Sequence, residues 1–125
     1  MEISKMKALV CDDSILVRKK FKDLLAKIGF GILLEATDGE EAVEIFKTQQ
    51  PDIVFMDIIM PKKTGLEALK EIHAINPNAR VVMASSVGTQ SHLKEAVDFG
   101  VYDFLQKPVE DEQVLKIVSN LLSGK

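Results

Sequence analysis

The chain has 125 residues, 46% of them apolar and 28% charged, which predicts one folded domain over 1–125 with one core and places the chain far from the composition of a disordered protein. A formal charge of −3 offers no basic excess for nucleic acid or an anionic membrane, and the single cysteine, Cys11, excludes an intrachain disulfide or a thiolate metal site. Met1 to Lys7 lacks an apolar leader core and no apolar stretch approaches a membrane span, so a cytoplasmic location is expected.

Short apolar runs alternate with amphipathic segments along the whole sequence. Ala8 to Cys11 reads as a strand, and Ile15 to Ile28 follows as a helix whose Val17, Phe21, Leu24, Leu25 and Ile28 share one face. Ile32 to Ala36 then precedes a helix from about Gly39 to Gln49, and Ile53 to Met56 precedes one from about Thr64 to Asn76. Val81 to Ala84 leads into Gln90 to Phe99, and Tyr102 to Gln106 into Glu112 to Leu122. Gly29, Gly31, Asp38-Gly39, Pro51, Pro61, Pro77, Gly88, Gly100 and Pro108 all fall between these elements. Nearly continuous apolar strands suit a parallel sheet covered on both faces. The expected fold is therefore α/β, a single doubly wound five-stranded parallel sheet with no second domain.

Sheets of this kind place their chemistry just beyond the carboxyl ends of the strands. Those positions hold Asp12 and Asp13 after the first strand, Asp57 after the third, Ser85 and Ser86 after the fourth, and Lys107-Pro108 after the fifth. Three converging carboxylates repel one another unless a cation neutralises them, and an all-oxygen donor set suits Mg²⁺ or Mn²⁺. A carboxylate can also act as a covalent nucleophile toward phosphorus, and Asp57, alone at the end of the central strand, is the candidate. Lys107 offers a point charge for phosphoryl oxygens and Ser85 a hydroxyl donor. Taken singly, each of these residues reads as a turn or cap residue, with Ser14 or Asp13 capping the first helix, Asp38-Gly39 only a turn and Lys107 a solvated charge. Their joint occurrence at four strand mouths favours a site.

The ordered set Val10-Cys11-Asp12-Asp13, Ala36-Thr37-Asp38-Gly39, Asp57-Ile58-Ile59-Met60-Pro61 with Gly65, Val82-Met83-Ala84-Ser85 and Asp103-Phe104-Leu105-Gln106-Lys107-Pro108 resembles the receiver domains of two-component response regulators, above all the stand-alone chemotaxis (CheY) type. The resemblance covers essentially the whole chain, and the flavodoxin-like strand order 2-1-3-4-5 follows from it, being that family's own order. It implies that Asp57 becomes a 4-aspartylphosphate and that Asp12, Asp13, Asp57 and the Ile59 backbone carbonyl hold the metal. Ser85 is then the switch hydroxyl, Phe104 the aromatic whose rotamer follows it, Lys107 the phosphoryl partner, and Lys107-Pro108 a cis bond. It further implies a sensor histidine kinase as donor and a downstream target protein, with a flagellar motor switch as the first candidate. The expected docking face is helix four, strand five and helix five. The expected role is a phosphoacceptor switch rather than an enzyme. A non-chemotactic phosphorelay intermediate and an inert receiver-like adaptor are the alternatives.

Three positions depart from the family pattern: Ser86 in place of the usual alanine, Lys63 in place of methionine and Val109 in place of phenylalanine. None removes a reactive group. The resemblance also implies that the side chains of Ile59 and Val87, two residues after Asp57 and Ser85, lie beside the path of hydrolytic water; both are apolar and neither can orient it, from which a long-lived phosphoryl group and a separate phosphatase are expected. A dehalogenase-type phosphatase would carry an acid at position 59, and a flavodoxin would not begin its first loop with Asp12-Asp13. His73 and His92 are expected to be surface or half-buried, and Cys11, Met56 and Met83 to be core residues.

Overall fold

The computed structural model describes residues 2–86 and 91–124. After a short 3₁₀ turn at Ile3–Lys5 the elements run β1 (Lys7–Cys11), α1 (Ile15–Ile28), β2 (Ile32–Ala36), α2 (Gly39–Gln49), β3 (Ile53–Asp57), α3 (Gly65–Ile75), β4 (Val81–Ser85), α4 (Leu93–Asp98), β5 (Asp103–Gln106) and α5 (Asp111–Leu122). The five strands form one all-parallel sheet in the order β2-β1-β3-β4-β5.

Alternation of side chains along each strand sorts the apolar residues onto two faces. Leu9, Cys11, Val54, Met56, Val81 and Met83 pack with Phe46 of α2 and Leu69 and Ile72 of α3. Ala8, Val10, Ile53, Phe55, Val82 and Leu105 pack with Phe21 and Leu25 of α1 and with Val114, Ile117 and Leu121 of α5. The one expected core is thus divided by the sheet into two layers. The Phe21 and Phe55 rings meet at 5.1 Å between centroids. Each large side chain buried this way contributes about 1.5–3 kcal/mol relative to exposure, which is how so short a chain supports five strands.

The helices start where local chemistry satisfies their first amides. Ser14 Oγ accepts from the Val17 N–H at 3.3 Å and Asp38 Oδ1 from the Glu41 N–H at 2.8 Å. Thr64 and Glu67 form a reciprocal capping box. Thr64 is therefore the cap of α3 rather than its first residue, and Asp38-Gly39 is not merely a turn: Asp38 caps α2 and Gly39 begins it. Asp57 and Ser85 end their strands rather than following them, and Tyr102 precedes β5. Among the described residues α4 covers six positions, shorter than the expected Gln90 to Phe99, of which Gln90 lies outside the described residues. β2, an edge strand, is more exposed than β1, β3 and β4. No described helix is long and apolar enough to cross a membrane.

Candidate functional site

Strand parity decides which side chains meet at the carboxyl edge of the sheet. Asp57 continues the Ile53-Phe55 row on the α1/α5 face, Asp12 follows the Ala8-Val10 row, and Lys107 follows Leu105, so the three converge. Ser85 belongs to the opposite row, with Val81 and Met83, and is buried there. Phe104, out of phase with Leu105, is 47% exposed on that same side. Ser85 and Phe104 line a common groove of about 330 Å³ with Leu93, Gln106 and Lys116.

The Lys107 ammonium bridges two acids, donating to Asp12 Oδ2 at 2.9 Å and to Asp57 Oδ2 at 3.1 Å. Lys107 is therefore held between two acids rather than standing as a solvated charge. Its backbone N–H donates to the Ser85 carbonyl at 2.7 Å, which ties the turn after β5 to the end of β4. The Lys107-Pro108 peptide is cis, as the resemblance implied.

Asp12 is held on every side. Its Oδ1 accepts from the Ser14 N–H at 2.9 Å, and its own N–H donates to the Ala36 carbonyl at 3.1 Å. Its carbonyl accepts from Arg18 Nη1 at 2.7 Å. Asp13, by contrast, is exposed. One carboxylate oxygen from each of Asp12, Asp13 and Asp57 lies within 4.8 Å of the other two. That all-oxygen cluster is the donor set a hard divalent cation takes, so these residues fit Mg²⁺.

Burial holds the Asp57 carboxyl above its ordinary value; the Lys107 hydrogen bond and charge oppose the shift, the Asp12 charge adds to it, and a backbone hydrogen bond from Ile59 opposes it. Burial also disfavours the Lys107 ammonium, but its hydrogen bonds to Asp12 and Asp57 prevail and raise its pKa. Burial, with the charges of Glu41, Asp12 and Asp38, pushes the Cys11 thiol far up, which makes it inert packing. His73 and His92 are half-buried, and His73 Nε2 pairs with the Ala79 carbonyl at 3.2 Å.

The loop after β3 is kept close to the site by two glycines. A Cβ on Gly65 would stand 2.2 Å from the Asp57 carbonyl oxygen, and one on Gly39 would stand 2.1 Å from that of Lys63, so neither position tolerates a side chain as the backbone stands. Lys63 itself pairs with Glu71 on α3. Ile59, in the same loop, is 50% exposed. Val87 and its expected place near the water path lie outside the described residues.

Sequence reasoning missed Arg18 and Glu35. Arg18 stands at i−3 from Phe21 and i−7 from Leu25, the buried face of α1, and an arginine in that register was the available signal.

Comparison with known proteins agrees with this geometry. Residues 8–119 match the response regulator receiver domain family. The chemotaxis protein CheY of Thermotoga maritima is 40% identical over 115 residues, 92% of this chain and 96% of that protein. A receiver domain protein from Clostridium thermocellum superposes with a TM-score of 0.89 at 29% identity, covering 95% of each chain. CheY in the CheX–CheY–BeF₃–Mg²⁺ complex of Borrelia burgdorferi superposes at 0.86 with 35% identity, covering 94% of this chain and 89% of that one.

Proposed function

The chain belongs to the response regulator receiver family, and on that premise we propose that it takes a phosphoryl group from a sensor histidine kinase onto Asp57 and switches its affinity for a partner protein. The observation that carries this reading is the Lys107 ammonium shared between Asp12 and Asp57, a positive charge beside a nucleophilic carboxylate in a half-buried pocket.

In the transfer an Asp57 carboxylate oxygen forms a bond to phosphorus as the phosphorus–nitrogen bond of the donor phosphohistidine breaks, and the departing imidazole takes up a proton. Asp12, Asp13 and the Ile59 carbonyl, with Asp57, would hold Mg²⁺. When bound it supplies neutralisation of the phosphoryl oxygens. Lys107 leaves its carboxylate contact for a phosphoryl oxygen, and the Ser85 hydroxyl donates to another. Phe104 then turns from solvent into the groove it shares with Ser85, changing the face made by α4, β5 and α5. The protein is a switch that turns over its own phosphoryl group slowly, not a catalyst acting on other molecules.

The 40% identity to a chemotaxis protein supports a chemotactic pathway, with a flagellar motor switch protein as the target and the cytoplasm as the location. The Borrelia complex, in which a CheY chain is bound to CheX, supports a separate protein that engages the phosphorylated form, here a phosphatase. Incubation with acetyl phosphate and Mg²⁺, followed by intact mass measurement, tests the core of the reading. A receiver gains one labile phosphoryl group, whereas an inert adaptor gains none and a phosphatase turns over added phosphoesters. A pull-down with and without beryllofluoride then tests the switch, since equal recovery of every partner in both states contradicts it.

A further inference from the structure

Arg18 sits inside α1, only 8% exposed, where an arginine is rarely found unless paired. Its Nε donates to Glu35 Oε1 on β2 at 3.1 Å, and Glu35 Oε2 accepts from Lys22 at 2.8 Å. The Lys22 hydrogen bond, together with that from Arg18 and against partial desolvation, keeps the Glu35 carboxyl below the usual carboxylate range. Arg18 is thus anchored from the solvent side, with Nη1 left to donate at 2.7 Å to the Asp12 carbonyl. That carbonyl belongs to the peptide joining Asp12 to Asp13, the two acids of the proposed cation site. The preceding peptide is fixed as well, by the Asp12 N–H to Ala36 bond.

We infer that Arg18 is a positioning residue for the cation site: it fixes the Asp12–Asp13 peptide plane, and through it the directions of both carboxylates, while Glu35 and Lys22 hold the guanidinium in place. The inference rests on reading the acidic cluster as a Mg²⁺ site. The guanidinium engages Glu35 through Nε and the Asp12 carbonyl through Nη1, two nitrogens held apart in one rigid plane; a lysine brings a single nitrogen on a flexible stem and does not hold two such contacts in that fixed geometry. If Arg18 only filled and neutralised the space under the site, its loss would lower stability and leave cation affinity alone.

Calorimetric titration of Mg²⁺ into wild type, Arg18→Met and Arg18→Lys separates these roles, with thermal melts and the Asp12 carbonyl ¹³C shift recorded beside it. Groups that orient metal ligands cost roughly 10- to 100-fold in affinity when removed, and a loss of that size is expected for Arg18→Met. Arg18→Lys should fall between it and wild type, and the carbonyl shift should move in the Met variant. Wild-type affinity in a folded Arg18→Met overturns the inference. Should that variant not fold, Arg18→Lys decides, because wild-type affinity there overturns it equally. Failure of the wild type itself to bind Mg²⁺ overturns the underlying reading of the site instead.

Discussion

Lys107 Nζ stands 3.1 Å from Asp57 Oδ2, so the residue expected to read the phosphoryl group is engaged by the acceptor carboxylate beforehand. On the proposed reading, phosphorylation of Asp57 replaces one Lys107 contact by another and so couples the chemistry at β3 to the backbone at β5. Lys107→Ala should still accept phosphate, because the lysine does not attack phosphorus, but should lose most of the phosphorylation-dependent gain in partner affinity. Couplings of this kind are typically about 5- to 150-fold. A titration of partner against the beryllofluoride-loaded variant measures it, and an undiminished gain contradicts the role.

The same substitution should lower stability in the absence of metal. It leaves Asp12 and Asp57 without their shared cation in a pocket where Asp12 is buried. A loss of roughly 1–3 kcal/mol is expected from leaving buried polar groups unsatisfied, measured by denaturant unfolding.

Burial holds the Asp57 carboxyl up, only partly offset by the Lys107 hydrogen bond. A group with a raised folded-state pKa favours folding below its ordinary range, and that support is withdrawn as pH rises through the folded value. Ionised Asp57 therefore costs stability at neutral pH. Asp57→Asn should be more stable than wild type there without metal, by about 0.5–2 kcal/mol as is common when a functional group is replaced. The difference should shrink as pH falls through the carboxylate range. Melts across pH 3 to 8, a window of about five units around ordinary carboxylate values, test the sign; a neutral-pH Asp57→Asn that melts lower contradicts it.

Asp12 and Asp13 should separate in the same assay. Asp13 is exposed, so Asp13→Ala relieves repulsion and should leave the metal-free protein as stable or more stable, while abolishing the stabilisation by Mg²⁺. Asp12→Ala removes acceptors for Lys107 and for the Ser14 N–H and should destabilise the metal-free protein. A destabilised Asp13→Ala that still gains stability from Mg²⁺ contradicts the assignment.

On the proposed reading, Ile59 bears on the lifetime of the phosphoryl group. Its half-exposed apolar side chain cannot hydrogen-bond attacking water. If one such bond contributes about 1–3 kcal/mol in the transition state, Ile59→Asn should release phosphate roughly 5- to 150-fold faster. Release no faster than wild type, after loading from acetyl phosphate, removes this support for a dedicated phosphatase.

The fold was legible because each βα unit carried its own signal: the apolar runs of β1, β3 and β4 and the helical stripes of α1, α2, α3 and α5 agree with the elements to within a residue or so. α4 was not, because periodicity does not say where a helix begins when no capping residue marks it, and His92 makes no side-chain cap. Asp12, Asp13, Asp57 and Lys107 could be gathered from their positions at strand ends alone. Arg18 and Glu35 could not, because their meeting depends on how α1 lies across β1 and β2, a relation between elements that no local pattern encodes. Asp38 was read as a turn residue because capping and turning use the same residue types.

The central claim is that Asp57 is the covalent acceptor. Wild type and Asp57→Asn are each incubated with acetyl phosphate and Mg²⁺ and measured by intact mass spectrometry. The account predicts one added phosphoryl group, labile to base, on wild type and none on the variant; equal labelling of the two, or no labelling of wild type, contradicts it.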